Sequence, residues 1–196
     1  DFIRRADGER WCLHLSYIKP HWPYVASDPY HALYAGEQMP QPNRTERELE
    51  TTHPVLRALQ QSRIGRAMSK DEARQLVMPT YLGMVTQIDN HLGRLFSELE
   101  RLGRVDDTLI VFTSDHGEYM GDHWMGEKDW LHEEVVRVPM IIVDPRSSAD
   151  STRGSTSNQL VEAIDILPTF VEALGGENQS RSQWLEGQSL LPLLSG

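Results

Sequence analysis

A chain of 196 residues is long enough for about one domain with one substantial core. Its 39% hydrophobic and 24% charged residues are ordinary for a globular protein, and no run approaches the ~20 apolar residues needed to cross a bilayer, so neither a membrane span nor a membrane partner is expected. A formal net charge of -10 excludes a nucleic-acid backbone as an expected partner and repels anionic substrates at long range, so such a substrate must be held by a metal or by clustered Lys, Arg and His.

The one cysteine, Cys12, rules out an internal disulfide and a thiolate metal cage, and its place in an apolar run predicts a small buried hydrophobe. Around it, residues 11–18 alternate: Trp11, Leu13, Leu15 and Tyr17 fall on one side, His14 and Ser16 on the other, which predicts a strand. The strand runs into Lys19-Pro20-His21-Trp22-Pro23-Tyr24, where two prolines end any ladder and hold an extended loop. Residues 25–66 are rich in Pro, His and Gln with little periodicity, and one short helix is expected near 54–61.

The strongest local signal follows. Ser69 and Glu72 have capping-box spacing. Tyr81, Val85, Ile88, Leu92, Leu95, Leu99 and Leu102 then step by four and three, which predicts one buried helical stripe ended by Gly103. Pro79 is expected to kink or restart that helix. A buried strand is predicted at 108–113, a polar loop at 114–137 and a second strand at 138–143. Residues 146–157 are a Ser-rich surface loop, and 164–174 a helix with Pro168 near its start and Gly175 as its cap. Strand, helix and strand in this order predict an α/β sheet covered by helices.

Chemistry concentrates in the loop Ser114-Asp115-His116-Gly117-Glu118-Tyr119-Met120-Gly121-Asp122-His123, which continues through Lys128. It leaves the carboxyl end of a hydrophobic strand, where open α/β sheets place their ligands. Asp115 offers anionic oxygen and His116 a neutral imidazole, a donor pair suited to Mn, Zn, Mg or Ca, with Gly117 turning tightly behind them. Taken alone, Asp-His-Gly also reads as a simple turn. Lys128 alone reads as a solvated surface lysine, and a structural histidine between prolines is the alternative for His21. Asp122 and His123 either hydrogen-bond the ligands or shape the loop, Glu134 and Arg137 suit a structural ion pair, and Tyr119, Trp124 and Trp130 suit either a pocket wall or packing.

The surroundings of that loop resemble the sulfatase and alkaline-phosphatase superfamily. There a strand ends in Ser-Asp-His-Gly or Ser-Asp-Asn-Gly, followed by Gly-x-His, a lysine, and a Glu-x-x-Arg-Val-Pro segment before another strand. This chain carries Gly121-Asp122-His123, Lys128 and Glu134-Val135-Val136-Arg137-Val138-Pro139 in that order. Lys19-Pro20-His21-Trp22-Pro23-Tyr24 is similar to the family's Pro-His-x-Pro-Phe/Tyr segment. Tyr81-Leu82-Gly83-Met84 with Ile88-Asp89 is similar to the helix before its metal strand. Ile164-Asp165-Ile166-Leu167-Pro168-Thr169 with Leu185-Glu186-Gly187-Gln188-Ser189-Leu190 is similar to its usual carboxy-terminal portion. Pro29-Tyr30-His31 and Gly-Asp-His-Trp-Met look most like phosphonate monoester hydrolases and phosphodiesterases.

The resemblance implies an alkaline-phosphatase-like α/β/α sandwich, of which residues 1–196 are the carboxy-terminal part of the catalytic domain and 147–196 the last portion and small extension of the same fold. It implies metal-dependent hydrolysis of phosphonate monoesters, phosphodiesters or sulfate esters. Asp115 and His116 match metal ligands for Mn, Ca, Zn or Mg, while His21 and Lys128 match residues that touch the ester's non-bridging or leaving oxygens. The family nucleophile lies in a Cys/Ser-x-Pro/Ala-x-Arg motif, commonly as formylglycine, but Cys12 is followed by Leu13-His14-Leu15, and the paired early aspartates are absent as well. The nucleophile is therefore expected upstream, and the isolated chain is expected to be inactive. Expected partners are a small anionic ester and the missing amino-terminal half, with a homo-oligomer left open. Two alternatives stand beside this reading: a phosphoryl-transfer or mutase enzyme, and a non-catalytic metal- or ligand-binding fragment.

Overall fold

The computed structural model describes residues 1–6, 8–176 and 185–196. The helices and strands among them are α1 (Phe2–Arg5), α2 (Glu46–Thr51), α3 (Pro54–Gln60), α4 (Arg63–Met68), α5 (Asp71–Arg101), β1 (Ile110–Thr113), α6 (Glu133–Val136), β2 (Met140–Val143), α7 (Ile166–Ala173) and α8 (Leu191–Ser195), with short 3-10 turns between them. They fall into two compact units. One comprises Asp1–Gly103 with His116–Val138, the other Arg104–Asp115 with Pro139–Gly196.

The first unit is built along α5. Its 31 residues begin with Asp71 and Glu72, whose negative charge suits a helix amino terminus, and end with Arg101, whose positive charge suits the other end. Leu102 caps it, and Gly103 turns the chain away at φ +64°. Pro79 neither restarts nor ends the helix. It forfeits one backbone bond in a ladder long enough to absorb the loss. The expected capping box is also absent, because Ser69 closes α4 and donates back to the Arg66 carbonyl, leaving Lys70 as the uncapped start of α5.

The buried face of α5 differs from the predicted stripe at one turn. Met84 is fully buried while Val85 is 42% exposed. The cause is the 3-10 turn Tyr30–Ala32, which packs on α5 at Gly83. A Cβ on Gly83 would drive into the Tyr30 carbonyl, so only glycine allows this approach. Tyr34 adds a hydroxyl hydrogen bond to Thr86 at 2.7 Å.

The helix expected near 54–61 is α3, but α2 and α4 flank it within the stretch read as irregular. α2 carries a capping box in which Thr45 and Glu48 exchange bonds. Residues 11–18 form no strand among the described residues: an alternating segment becomes a strand only against a neighbour that completes its backbone hydrogen bonds. Leu13, Leu15, Tyr17 and Ile18 are consequently exposed, and so is Cys12, contrary to its expected burial. The core of this unit gathers Tyr119, Met125 and Val135, with Leu56 and Leu59 of α3 packed against them.

In the second unit β1 pairs with β2 antiparallel, with Ile110 opposite Val143 and Thr113 opposite Met140. Both strands are shorter than predicted, and β1 is only partly buried. The predicted helix at 164–174 is a 3-10 turn over Ala163–Asp165 followed by α7, and Gly175 leaves it at φ +81°. Thr169, fully buried, donates to the Asp165 carbonyl at 2.6 Å and accepts from the Leu190 amide at 2.8 Å. Asp165 in turn accepts from the Gln188 amide at 2.8 Å. These bonds give the Asp-Ile-Leu-Pro-Thr and Gly-Gln-Ser-Leu segments a structural role. At the end of β2, buried Asp144 is gripped by the Arg146 guanidinium, which holds its carboxyl below the usual range. The carboxy-terminal portion expected at 147–196 includes residues 177–184, which lie outside the described residues.

Candidate active site

β1 ends at Thr113, and Asp115, exposed, closes that stretch of the second unit. His116 is the next residue and opens the loop portion of the first unit. The His116 Nδ1 lies 2.7 Å from the Gly117 carbonyl, a contact that requires the nitrogen to donate and so puts the ring's lone pair on Nε2. Metal-bound histidines are held in this way, with one nitrogen spent on a carbonyl and the other presented as a ligand. The donor chemistry of Asp115 and His116 therefore fits a divalent metal. Among the described residues no group of three or more His, Cys, Asp or Glu side chains gathers to hold one.

Gly117 serves a purpose other than a tight turn. Its amide donates to the Val135 carbonyl at 2.7 Å, and that of Glu118 to the Glu134 carbonyl at 3.1 Å. A Cβ on Gly117 would collide with the Glu134 carbonyl oxygen. The loop is thus laid directly against α6, and glycine is required for the approach.

Three separated segments meet at His21. Its Nδ1 lies 2.8 Å from the Trp22 carbonyl and must donate there, so Nε2 is the accepting nitrogen. The Lys128 ammonium donates to that Nε2 at 2.6 Å. The His116 ring stands edge-on to the His21 ring with centroids 6.0 Å apart. Two of the four residues singled out from sequence are thus in direct contact, and a third adjoins them within the same unit.

The segment between His116 and Lys128 is backbone-strained. Met120, His123, Trp124 and Glu127 all lie at positive φ, between 49° and 62°. Such residues cost roughly 1–3 kcal/mol each and persist only where surrounding contacts dictate them. Those contacts are dense here. The His123 Nδ1 meets Glu48 Oε1 at 3.0 Å, and its Nε2 meets both Glu134 oxygens at 3.2 Å. The His123 amide donates to the Asn43 carbonyl, and the Asp122 carboxylate accepts from the Asn43 amide at 2.7 Å. Buried Arg74 donates to the Met120 carbonyl at 3.0 Å and also to Pro40. The Trp124 indole donates to Thr45 at 2.9 Å beneath the Arg44 guanidinium.

Asp122 and His123 therefore shape the loop. The expected Glu134–Arg137 ion pair does not form: Arg137 points into solvent 3.9 Å from Glu133, while Glu134 faces inward and accepts from Asn43 Nδ2 at 2.9 Å. Burial alone would raise the Glu134 carboxyl, but Asn43 and His123 outweigh it and hold it low. Beside His123, the His132 ring stacks at a 4.1 Å centroid distance and bonds the Tyr119 hydroxyl at 2.8 Å. Burial, then the neighbouring His123, pushes His132 below its usual value. Burial pushes the Tyr119 hydroxyl up to about 12 and makes its ring part of the core rather than a pocket wall.

Two site residues carried no assigned role in the sequence. The Tyr24 hydroxyl donates to Glu118 Oε2 at 3.1 Å, and its ring stands edge-on to Tyr81 of α5. Burial, with the Glu118 charge added, raises the Tyr24 hydroxyl well above its ordinary range; burial raises the Glu118 carboxyl despite the Tyr24 bond. The two lie 94 residues apart, a separation no local pattern bridges.

Residues 1–176 match the family model described as Sulfatase. The chain is 39% identical to a multifunctional alkaline phosphatase superfamily protein, PehA, of Trinickia caryophylli, over 99% of this chain and 39% of that protein. Among solved structures, it is similar to the phosphonate monoester hydrolase of Silicibacter pomeroyi, with a TM-score of 0.85 and 31% identity over 98% of this chain and 38% of that one. The phosphonate monoester hydrolase of Agrobacterium radiobacter gives a TM-score of 0.81 and 30% identity over 100% of this chain and 40% of that one. The fold is accordingly the alkaline-phosphatase-like α/β fold of these hydrolases, and the chain spans 38–40% of the two solved structures' length.

Proposed function

The chain belongs to the sulfatase family, and from that premise we propose that it is the carboxy-terminal part of a metal-dependent hydrolase acting on phosphonate monoesters or phosphodiesters, with sulfate esters the next candidates. In this reading residues 1–196 are one partial catalytic domain, with 147–196 belonging to the same fold. The remainder of a longer protein supplies the nucleophile, in the place a formylglycine takes in this family, and the other metal ligands. The observation that carries the reading is the 2.6 Å contact between Lys128 Nζ and His21 Nε2, beside the ring of His116. The preference for phosphorus esters over sulfate rests on the two phosphonate monoester hydrolases it resembles.

Asp115 and His116 would hold the divalent metal, which when bound neutralises charge on the ester and activates the attacking group. The chain's own residues act on the other side of the reaction. Lys128 brings a positive charge to the equatorial oxygens of the transferring group, where negative charge accumulates. The proton shared between Lys128 Nζ and His21 Nε2 is the nearest donor for the departing oxygen. The Trp22 carbonyl fixes the tautomer that makes Nε2 the shared nitrogen, so the proton is aimed before substrate arrives. Removal of Lys128 in the full-length enzyme should lower kcat by about 100- to 1,000-fold, the scale seen when one charge-stabilising donor is lost. The measurement is steady-state hydrolysis of aryl phosphonate monoesters by Lys128→Ala, with thermal melting as the fold control. Unchanged turnover in a folded variant removes Lys128 from the chemistry.

A further inference from the structure

We propose that the Tyr24–Glu118 hydrogen bond is a strut that sets His21 against Lys128, which makes Tyr24 and Glu118 positioning residues for leaving-group protonation. The inference rests on the reading of His21 and Lys128 given above. Its basis is a closed circuit of contacts. From His21, Nε2 meets Lys128 Nζ at 2.6 Å. The residue before Lys128, Glu127, accepts through its carbonyl from the Tyr119 amide at 3.0 Å. The residue before Tyr119, Glu118, accepts the Tyr24 hydroxyl at 3.1 Å. Tyr24 leads back along three residues to His21.

Every link but one in this circuit is backbone or belongs to the reacting pair. On the His21 side the turn is rigid: the His21 amide donates to Ile18, Lys19 Nζ to the Pro23 carbonyl at 2.5 Å, and the Val25 amide to the same Pro23. On the other side Glu118 is fixed to α6 through its own amide. The Tyr24 hydroxyl is thus the side-chain tie between two otherwise stiff pieces. The Tyr81 ring sets its direction by packing edge-on. Glu118 Oε1 is buried with no hydrogen-bond partner, while its other oxygen accepts the Tyr24 hydroxyl and the carboxylate is further steadied by the Met120 and Glu127 backbone. A carboxylate so placed has a cost, and its contribution is the placement of a phenol that carries the His21 turn. Without the tie, His21 can drift, and misplacement of a reacting group by about 1 Å can cost on the order of 100-fold in rate.

The test is a double-mutant cycle in the full-length metal-loaded enzyme, with phenylphosphonate monoesters of a good leaving group (para-nitrophenol) and a poor one (phenol). Tyr24→Phe keeps the ring and removes only the hydroxyl. It should lower kcat for the phenyl ester by about 10- to 100-fold, lower it much less for the para-nitrophenyl ester, and leave KM and metal content unchanged. Glu118→Gln, which retains an acceptor oxygen for Tyr24, should keep most of the phenyl ester activity. In a His21→Ala background the Tyr24→Phe change should add less than about twofold, because residues that act through one another are not additive. Equal losses with and without His21, equal losses for both esters, or loss of metal with the hydroxyl would each overturn the strut while leaving the His21 reading intact. If His21→Ala itself turns over both esters at the normal rate, the reading of His21 fails, and the strut fails with it. Should Tyr24→Phe not fold, the rescue pattern of Glu118→Gln against Glu118→Leu decides the same question.

Discussion

His123→Ala isolates what holds the strained loop between His116 and Lys128. Two charge-assisted contacts go at once, one to Glu48 at 3.0 Å and one to Glu134 at 3.2 Å. A hydrogen bond to a charged group contributes about 1.5–3 kcal/mol, so two give roughly 3–6 before solvent screening. The Glu48 side chain is 32% exposed and that of Glu134 19%, which argues for a discount, to about 2–4 kcal/mol. The φ of +51° at this position costs histidine and alanine alike, so it drops out of the difference. The expected loss is therefore about 2–4 kcal/mol for the cooperative unit that contains the loop. Urea unfolding of the full-length protein followed by tryptophan fluorescence reads it, since Trp124 is the adjacent residue. Turnover should fall as well, because Lys128 rides on the same loop. A loss under about 1 kcal/mol would refute the reasoning: the backbone bonds to Asn43, Tyr119 and Met125 would then suffice, and the two carboxylates would be bystanders.

Two further outcomes follow from the same geometry. Gly117→Ala places a methyl against the Glu134 carbonyl and should destabilise the protein by about 1–3 kcal/mol or more; a melting temperature within a degree of the parent would show that α6 gives way easily. His132 is held below its ordinary value of 6.5, so as pH falls the unfolded chain takes up this proton first. Its contribution to stability is whole above 6.5 and is lost as pH falls from there toward the folded value. The melting temperature should drop over that window and drop less in His132→Gln, which keeps an acceptor for Tyr119; an identical pH slope in both proteins would contradict the assignment.

How much of this was legible in the sequence depends on how far each feature reaches along the chain. The α5 helix is readable because its apolar positions recur every three or four residues, and Gly103 marks its end unaided. Its face is harder to read, since Gly83 and Met84 meet a turn some fifty residues upstream and Val85 is left exposed. Ser69 and Glu72 have capping spacing, yet a second helix ending at Met68 claims the serine. The alternation at 11–18 is a sound strand pattern, but pairing is a property of the neighbour, and among the described residues no neighbour is present. At the site, Asp115, His116, Lys128 and His21 stand out by residue type and motif order. What no local pattern carries is the meeting of His21 with Lys128 and His116, or of His123 with Glu48: the first pair is 107 residues apart and the last 75. Glu134 shows the same limit, because its spacing to Arg137 suggests a local pair while the fold spends it on His123 and Asn43.

The most direct test of the account is the metal content of Asp115→Ala. The full-length protein is purified with and without the substitution, metal per polypeptide is measured by elemental analysis, and hydrolysis of para-nitrophenyl phenylphosphonate is assayed on the same samples. The account expects metal to fall far below one equivalent per chain and turnover to fall with it, at an unchanged fold. A folded variant that keeps its full metal complement would contradict the placement of the metal at Asp115 and His116, whatever its activity.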